Sequence, residues 1–224
     1  MNLILIAALL MGSGQDLEIA GDLMEAGIAY TGEADAAGQV RILCEYLEES
    51  LYAGCSDHAL QLILHLEMFQ LPQEYYDMWY ARLAWSCGLA EYASAQLELV
   101  NGSPWITSRC QGLACLYRGN SADAAGFFLS SFEYAESVRQ EYYSLLDLGF
   151  ALVQQGELTE SEELALYLST RYPERELPVI LLALSKSSQG RYGEGMSILQ
   201  TLYSSSNASG IMRRYSRSLL REME

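Results

Sequence analysis

Positively charged residues are scarce in this 224-residue sequence, which has 13 Lys plus Arg against 29 Asp plus Glu and a formal net charge of −16. Nucleic acids and anionic membrane surfaces are bound through clustered cationic side chains, so this balance argues against both kinds of partner. Proline is also scarce, with four residues, which excludes a collagen-like or proline-rich chain. Half of the residues are apolar, so the chain can form a large core and is not intrinsically disordered.

The apolar run near the start of the chain is short. It extends over nine residues, Leu3 to Met11, whereas a membrane-spanning helix needs about 20. Its length, and the small residues Gly12 and Gly14 before a cut near Gln15, suit a signal peptide, although the segment carries no Lys or Arg. We therefore predict that residues 1–14 are a signal peptide, that the mature chain has no membrane span, and that it is exported to the periplasm or cell envelope. The alternative is a cytoplasmic protein in which this segment is a structural first helix.

Motifs for catalysis, metal binding and phosphate binding are missing. The two histidines, His58 and His65, lie seven residues apart, and there is no His-Glu-x-x-His or Cys-x-x-Cys string. There is no Gly-x-Ser-x-Gly elbow, phosphate loop or dinucleotide fingerprint. The sequence therefore predicts a protein that is not an enzyme and that holds no metal or cofactor. The five cysteines, an odd number, are interpreted as buried free thiols: Cys44, Cys55, Cys87, Cys110 and Cys115.

A repeat with a mean period of 34 residues runs through the middle of the chain. It is marked by five glycines, spaced 34, 31, 37 and 34 residues apart: Gly54, Gly88, Gly119, Gly156 and Gly190. A small residue follows each glycine by five positions: Ala59, Ala93, Ala124, Ser161 and Gly195. This pattern predicts that each glycine ends a helix of about 14 residues in a left-handed conformation and that a second helix then packs closely against the first. Stacked pairs would bury their apolar stripes continuously.

Here the chain resembles the tetratricopeptide repeat family. The best unit, Leu148 to Glu174, carries the Leu148-Gly149 pair, the central Gly156, the small residue Ser161 and the closing Pro173. The resemblance implies an all-α fold, a right-handed superhelix of antiparallel helix pairs with about 11 or 12 helices in a single domain, 15–224. Its units lie at approximately 40–72, 74–104, 105–137, 142–174 and 176–207, followed by an arginine-rich capping helix at 209–223.

The resemblance also implies that the first helix of each pair lines a concave groove. We take eleven positions as candidate partner-groove residues: Arg41, Tyr52, Tyr75, Met78, Arg82, Trp85, Arg109, Leu113, Tyr117, Tyr143 and Phe150. Aromatic anchors and arginines are typical of surfaces that bind a protein segment, with Arg82 and Arg109 available for an acidic group. In the alternative interpretation, tight curvature or a neighbouring helix fills this face with core.

Taken together, the sequence predicts a non-enzymatic scaffold that binds a protein or peptide segment in its concave groove. Arginine outnumbers lysine twelve to one, which suggests a GC-rich genome. Together with the short apolar leader, this predicts a bacterial protein that acts in the cell envelope. Two alternatives stay open. The first is a glycan- or cell-wall-binding module of the same fold, because stacked tyrosine and tryptophan rings can bind sugars. The second is a cytoplasmic adaptor with a structural N-terminal helix.

Overall fold

A computed structural model describes residues 36–206 and 208–223. The predicted signal peptide, residues 1–14, lies outside the described residues. Within the described part the chain is all-α, with no strand and eleven α-helices, each of which packs against the next. The prediction of an all-α helical-repeat fold is confirmed. No helix in this part of the chain has the combination of length and hydropathy needed to cross a membrane.

The helices alternate between the first and second members of consecutive pairs. In chain order they are α1 (Ala36–Tyr52), α2 (Ser56–Leu66), α3 (Gln73–Ser86), α4 (Ala90–Leu99), α5 (Pro104–Tyr117), α6 (Ser121–Glu133), α7 (Val138–Gln155), α8 (Leu158–Arg171), α9 (Leu177–Ser188), α10 (Tyr192–Ser204) and α11 (Gly210–Met223). A short 3₁₀ turn, Glu67–Phe69, follows α2.

The five repeat glycines end the first helices, as predicted. Each has a positive φ, from 67° at Gly54 to 87° at Gly156, which side chains with a Cβ rarely adopt. The following helices start two residues later, and several starts in the chain are capped by side chains. Asn120 and Ser137, for example, accept hydrogen bonds from the backbone N–H groups of Asp123 and Gln140. The ends and starts of the helices are therefore specified locally, by the turn glycines and the capping side chains in the sequence.

Small residues set the distance between the paired helices. Gly112 of α5 lies directly against the buried ring of Phe128 on α6, so close that a Cβ at Gly112 would lie 2.5 Å from the ring carbon Cε1. The small residues after the turns, such as Ala93 and Ala124, have no exposed surface. The helices of a pair therefore approach at positions where a larger side chain has no room.

Candidate functional site

The predicted groove residues belong to α1, α3, α5 and α7, and we call the face on which these four helices meet the inner face. Five of them are buried: Met78, Arg82, Arg109, Leu113 and Tyr143. Four are half-buried: Tyr52, Tyr75, Tyr117 and Phe150. The remaining two, Arg41 and Trp85, are exposed. The structure therefore brings most of the predicted set together, but nearly half of it is covered.

Side chains of α1 reach across the inner face to the other three helices that form it. Its Glu48 contacts Arg82 of α3 and Arg109 of α5, and its Tyr52 donates a hydrogen bond to Asp147 of α7. These contacts join residues up to 95 positions apart in the chain. Arg82 and Arg109 therefore do not line an open groove, and the arrangement corresponds to the alternative in which tight curvature or a neighbouring helix fills the concave face.

A network of four buried charges joins α1 to α3, α5 and α7. Arg109 donates from Nε to Asp147 Oδ2 at 2.7 Å and from Nη2 to Glu48 Oε2 at 3.0 Å, and Arg82 forms a second ion pair with Glu48. Trp79 Nε1 donates to Glu48 Oε1 at 3.0 Å. All four charged side chains are at most 4% exposed. Two positive and two negative groups balance, so neither arginine is left to bind an acidic partner.

The electrostatics of Glu48 follow from this pairing. Burial alone raises the pKa of a carboxyl group, but Arg109 and Arg82, together with hydrogen bonds from Arg109 and Trp79, hold the pKa of Glu48 well below its usual range. Burial raises the pKa of the neighbouring Tyr117 to about 12. Glu48 is therefore an anion, and Tyr117 a neutral phenol, across the physiological pH range.

Two carboxylates of this network were absent from the predicted site. Glu48 occupies a groove-facing position of the first unit, but it is not among the eleven candidates. Asp147 was missed entirely. Its signal is a single charge within an apolar run, between Leu146 and Leu148, which is costly to bury without a partner.

What remains of the expected groove at the start of the first helices is a small pocket of about 170 Å³. Its wall is built from aromatic rings and two arginines, and Arg139 lies 5.6 Å from the centre of the Tyr143 ring. The pocket is too small for a folded segment of a partner. Tyr75, a half-buried residue of the predicted groove, lines it.

At the other end of the same helices four aromatic side chains form what we call the aromatic ledge: Tyr52, Trp85, Tyr117 and Phe150. Trp85 and Tyr117 are stacked with ring centres 4.6 Å apart and planes 7° apart. Tyr52 and Phe150 are stacked at 5.4 Å, and the Arg82 guanidinium lies 4.7 Å from the centre of the Tyr52 ring. Trp85 is 41% exposed. All four ledge residues belong to the predicted set.

The thiols and histidines show no cluster that resembles a reactive centre. All five cysteines are free. Cys44 and Cys110 are buried, whereas Cys87 is exposed, contrary to the expectation that every thiol is buried. His58 Nδ1 lies 2.8 Å from Ser50 Oγ. In residues 36–206 and 208–223 there is no group of three or more His, Cys, Asp or Glu side chains that could hold a metal ion.

Comparisons with models of protein families, with curated proteins and with solved structures found no match to this chain.

Proposed function

We propose that this protein is a non-enzymatic interaction scaffold of tetratricopeptide-like repeats that binds an apolar segment of a partner protein on its aromatic ledge. The observation that carries the proposal is the stacked pair of Trp85 and Tyr117, which leaves a large aromatic side chain 41% exposed beside a filled inner face. A rigid, stacked pair buries much apolar area on binding and loses little side-chain entropy, as is typical of interface anchors.

The chemistry of the partner follows from the burial and pairing of Arg82, the arginine beneath the ledge. Arg82 is 4% exposed and paired with Glu48, and its guanidinium faces the Tyr52 ring. It therefore supports the ledge from below and offers no free charge to an acidic group. An apolar segment that packs on the rings fits this surface better than the acidic segment expected from the sequence.

The experiment that tests the ledge is site-specific photocrosslinking in the host that makes the protein. A photoreactive residue is placed at Phe150, and crosslinked proteins are compared between the otherwise unchanged chain and the variant Trp85→Ala. We expect one recurrent partner whose recovery falls at least about tenfold in the variant, since loss of one anchor side chain removes more than about 1.4 kcal/mol.

The matched control is Tyr192→Ala, which removes an exposed aromatic residue on α10 that is 61% exposed and not part of the ledge. Equal recovery with Trp85→Ala and Tyr192→Ala would contradict the proposal. Retention of the purified protein on a peptidoglycan column, lost in Trp85→Ala, would instead support the glycan-binding alternative.

We also propose that the chain acts in the bacterial cell envelope after export. The support is the apolar run Leu3 to Met11 with the small residues that follow it. Intact mass of the protein from its host tests this: an N-terminus near Gln15 is expected, and an N-terminus at Met1 would contradict export.

A further inference from the structure

A second surface, separate from the ledge, is an open groove between α3 and α4. The groove has a volume of about 600 Å³, within the range of binding clefts in proteins, and its lining comes from these two helices and the turn between them. It shares no residue with the aromatic ledge. We call it the α3–α4 groove.

Large apolar side chains line this groove and remain in contact with solvent. Leu99 is 74% exposed, Tyr92 is 58% exposed and Leu89 is 56% exposed. Tyr80, at 36% exposure, adds a fourth, and its hydroxyl donates to Glu67 at 2.8 Å, which turns the polar end of the ring toward the rim. Clusters of exposed apolar side chains in one concavity are rare on monomeric proteins and are typical of an interaction site.

Negative charge predominates around the groove. Between Ser56 and Val100 the chain has six carboxylates: Asp57, Glu67, Glu74, Asp77, Glu91 and Glu98. The same stretch contains a single Lys or Arg, Arg82, which is buried in the inner-face network, and Arg118, just after α5, pairs with Glu98. Asp77 lines the groove itself. An apolar cleft within a negative field attracts a segment that combines apolar side chains with positive charge, and it repels phosphate-rich surfaces.

We propose that the α3–α4 groove binds a cationic amphipathic segment of a partner protein, with its apolar side chains in the groove and its lysines or arginines against the carboxylates of α2–α4. The geometry resembles the docking of an amphipathic helix into an apolar groove, in which residues at i, i+3 and i+4 anchor the segment. This site is additional to the aromatic ledge, and either can fail without the other.

The test uses the purified full-length protein and a synthetic helical peptide of leucine and lysine, with a second peptide in which glutamate replaces every lysine. Binding is measured by fluorescence anisotropy. Occupancy of the groove is measured separately through Cys87, an exposed thiol in its lining, by the rate of alkylation read by peptide mass spectrometry. We expect the lysine peptide to bind and to slow alkylation of Cys87 at least about fivefold, with little change at the half-buried Cys115, and the glutamate peptide to do neither.

Matched variants separate a specific site from general attraction to an acidic protein. Tyr92→Ser and Leu99→Ser keep the charge and remove exposed apolar groups from the groove, so each should fold and weaken binding at least about tenfold. Leu129→Ser removes a similarly exposed leucine, 49% exposed, from α6 and should bind like the parent protein. Equal binding by all three variants, or equal binding of the glutamate peptide, would overturn the proposal.

Discussion

Arg109 is the residue through which three helices of the inner face are joined. It is 1% exposed, pairs with Glu48 of α1 and Asp147 of α7, and lies between the rings of Trp105 and Tyr143, at 5.5 Å and 5.0 Å from their centres. Removing one partner of a buried ion pair leaves the other charge desolvated, which costs more than the pair contributes when it is intact.

We therefore expect Arg109→Met to lower the free energy of unfolding by about 3–5 kcal/mol, because Glu48 and Asp147 lose their shared partner. Urea denaturation followed by circular dichroism measures the free energy of unfolding of the variant and of the parent chain. The matched control is Arg118→Met, which breaks the exposed pair with Glu98 and should leave the midpoint nearly unchanged. Similar losses in the two variants would show that the buried network is not a special source of stability.

At the scale of the helices, the close approach of α5 and α6 depends on the missing side chain at Gly112. An added Cβ would overlap the Phe128 ring, which has no exposed surface and little room to move. Gly126, on the exposed side of α6, has nothing within 4 Å of the same added atom. Both glycines are in helix interiors, so the gain in helix propensity on substitution by alanine is comparable.

We expect Gly112→Ala to destabilise the protein by roughly 1–2 kcal/mol, since the overlap outweighs the propensity gain, and Gly126→Ala to stabilise it by about 0.5–1 kcal/mol. Thermal unfolding of both variants beside the parent chain measures the two shifts. A higher melting temperature for Gly112→Ala would mean that α5 and α6 do not approach as closely as described.

The helices themselves were largely predictable from the sequence, because their signals are local. The glycine at each turn and the small residue five positions later specify where a helix ends and where its partner comes close. The position of α1 was not predictable in this way. It depends on pairs such as Tyr52 with Asp147, 95 residues apart, and the repeat period carries no information about how one helix tilts against the rest. The sequence therefore offered a face filled with core as one of two alternatives, but it could not show that Arg82 and Arg109 pair with Glu48 of α1.

For the whole molecule, α1 also connects the early and late parts of the chain. Arg175 donates to Glu45 of α1 at 2.7 Å, and Ser209, just before α11, donates from its backbone N–H to Glu176 at 3.0 Å and from its hydroxyl to Glu49 at 3.5 Å. Burial, together with the nearby Glu176 and Glu45, raises the pKa of Glu49 to about 8, although Arg175 and Ser209 act in the opposite direction. This junction favours a protonated Glu49.

A group whose pKa is raised by folding stabilises the folded state below its unfolded pKa, and that contribution is lost as the pH rises through the folded value. We therefore expect stability to fall between about pH 4.5 and pH 8 as Glu49 becomes charged. Glu49→Gln, which stays neutral, should remove this loss and be more stable than the parent chain at pH 8 by at least about 1.4 kcal/mol, the equivalent of one pKa unit.

Urea unfolding of both proteins at several pH values measures the difference, with Glu91→Gln as the control for loss of an exposed carboxylate on α4. Glu48, whose pKa is lowered, loses its contribution only as the pH falls below about 4.5, outside this window. Parallel pH profiles for the parent chain and Glu49→Gln would show that folding does not raise the pKa of Glu49.

The location of α1 has a consequence for the newly made protein. α1 is synthesised before the other described helices, yet its contacts Arg175 and Ser209 follow Glu45 and Glu49 by 130 and 160 residues. At translation rates of about 5–20 residues per second, the ribosome needs roughly 7–30 seconds to add these intervening residues. During that interval α1 can already pack on α2 and contact α3, whereas its contacts with Arg175 and Ser209 can form only after these late residues are made. The contacts that join the early and late parts of the chain are therefore the last that α1 can form.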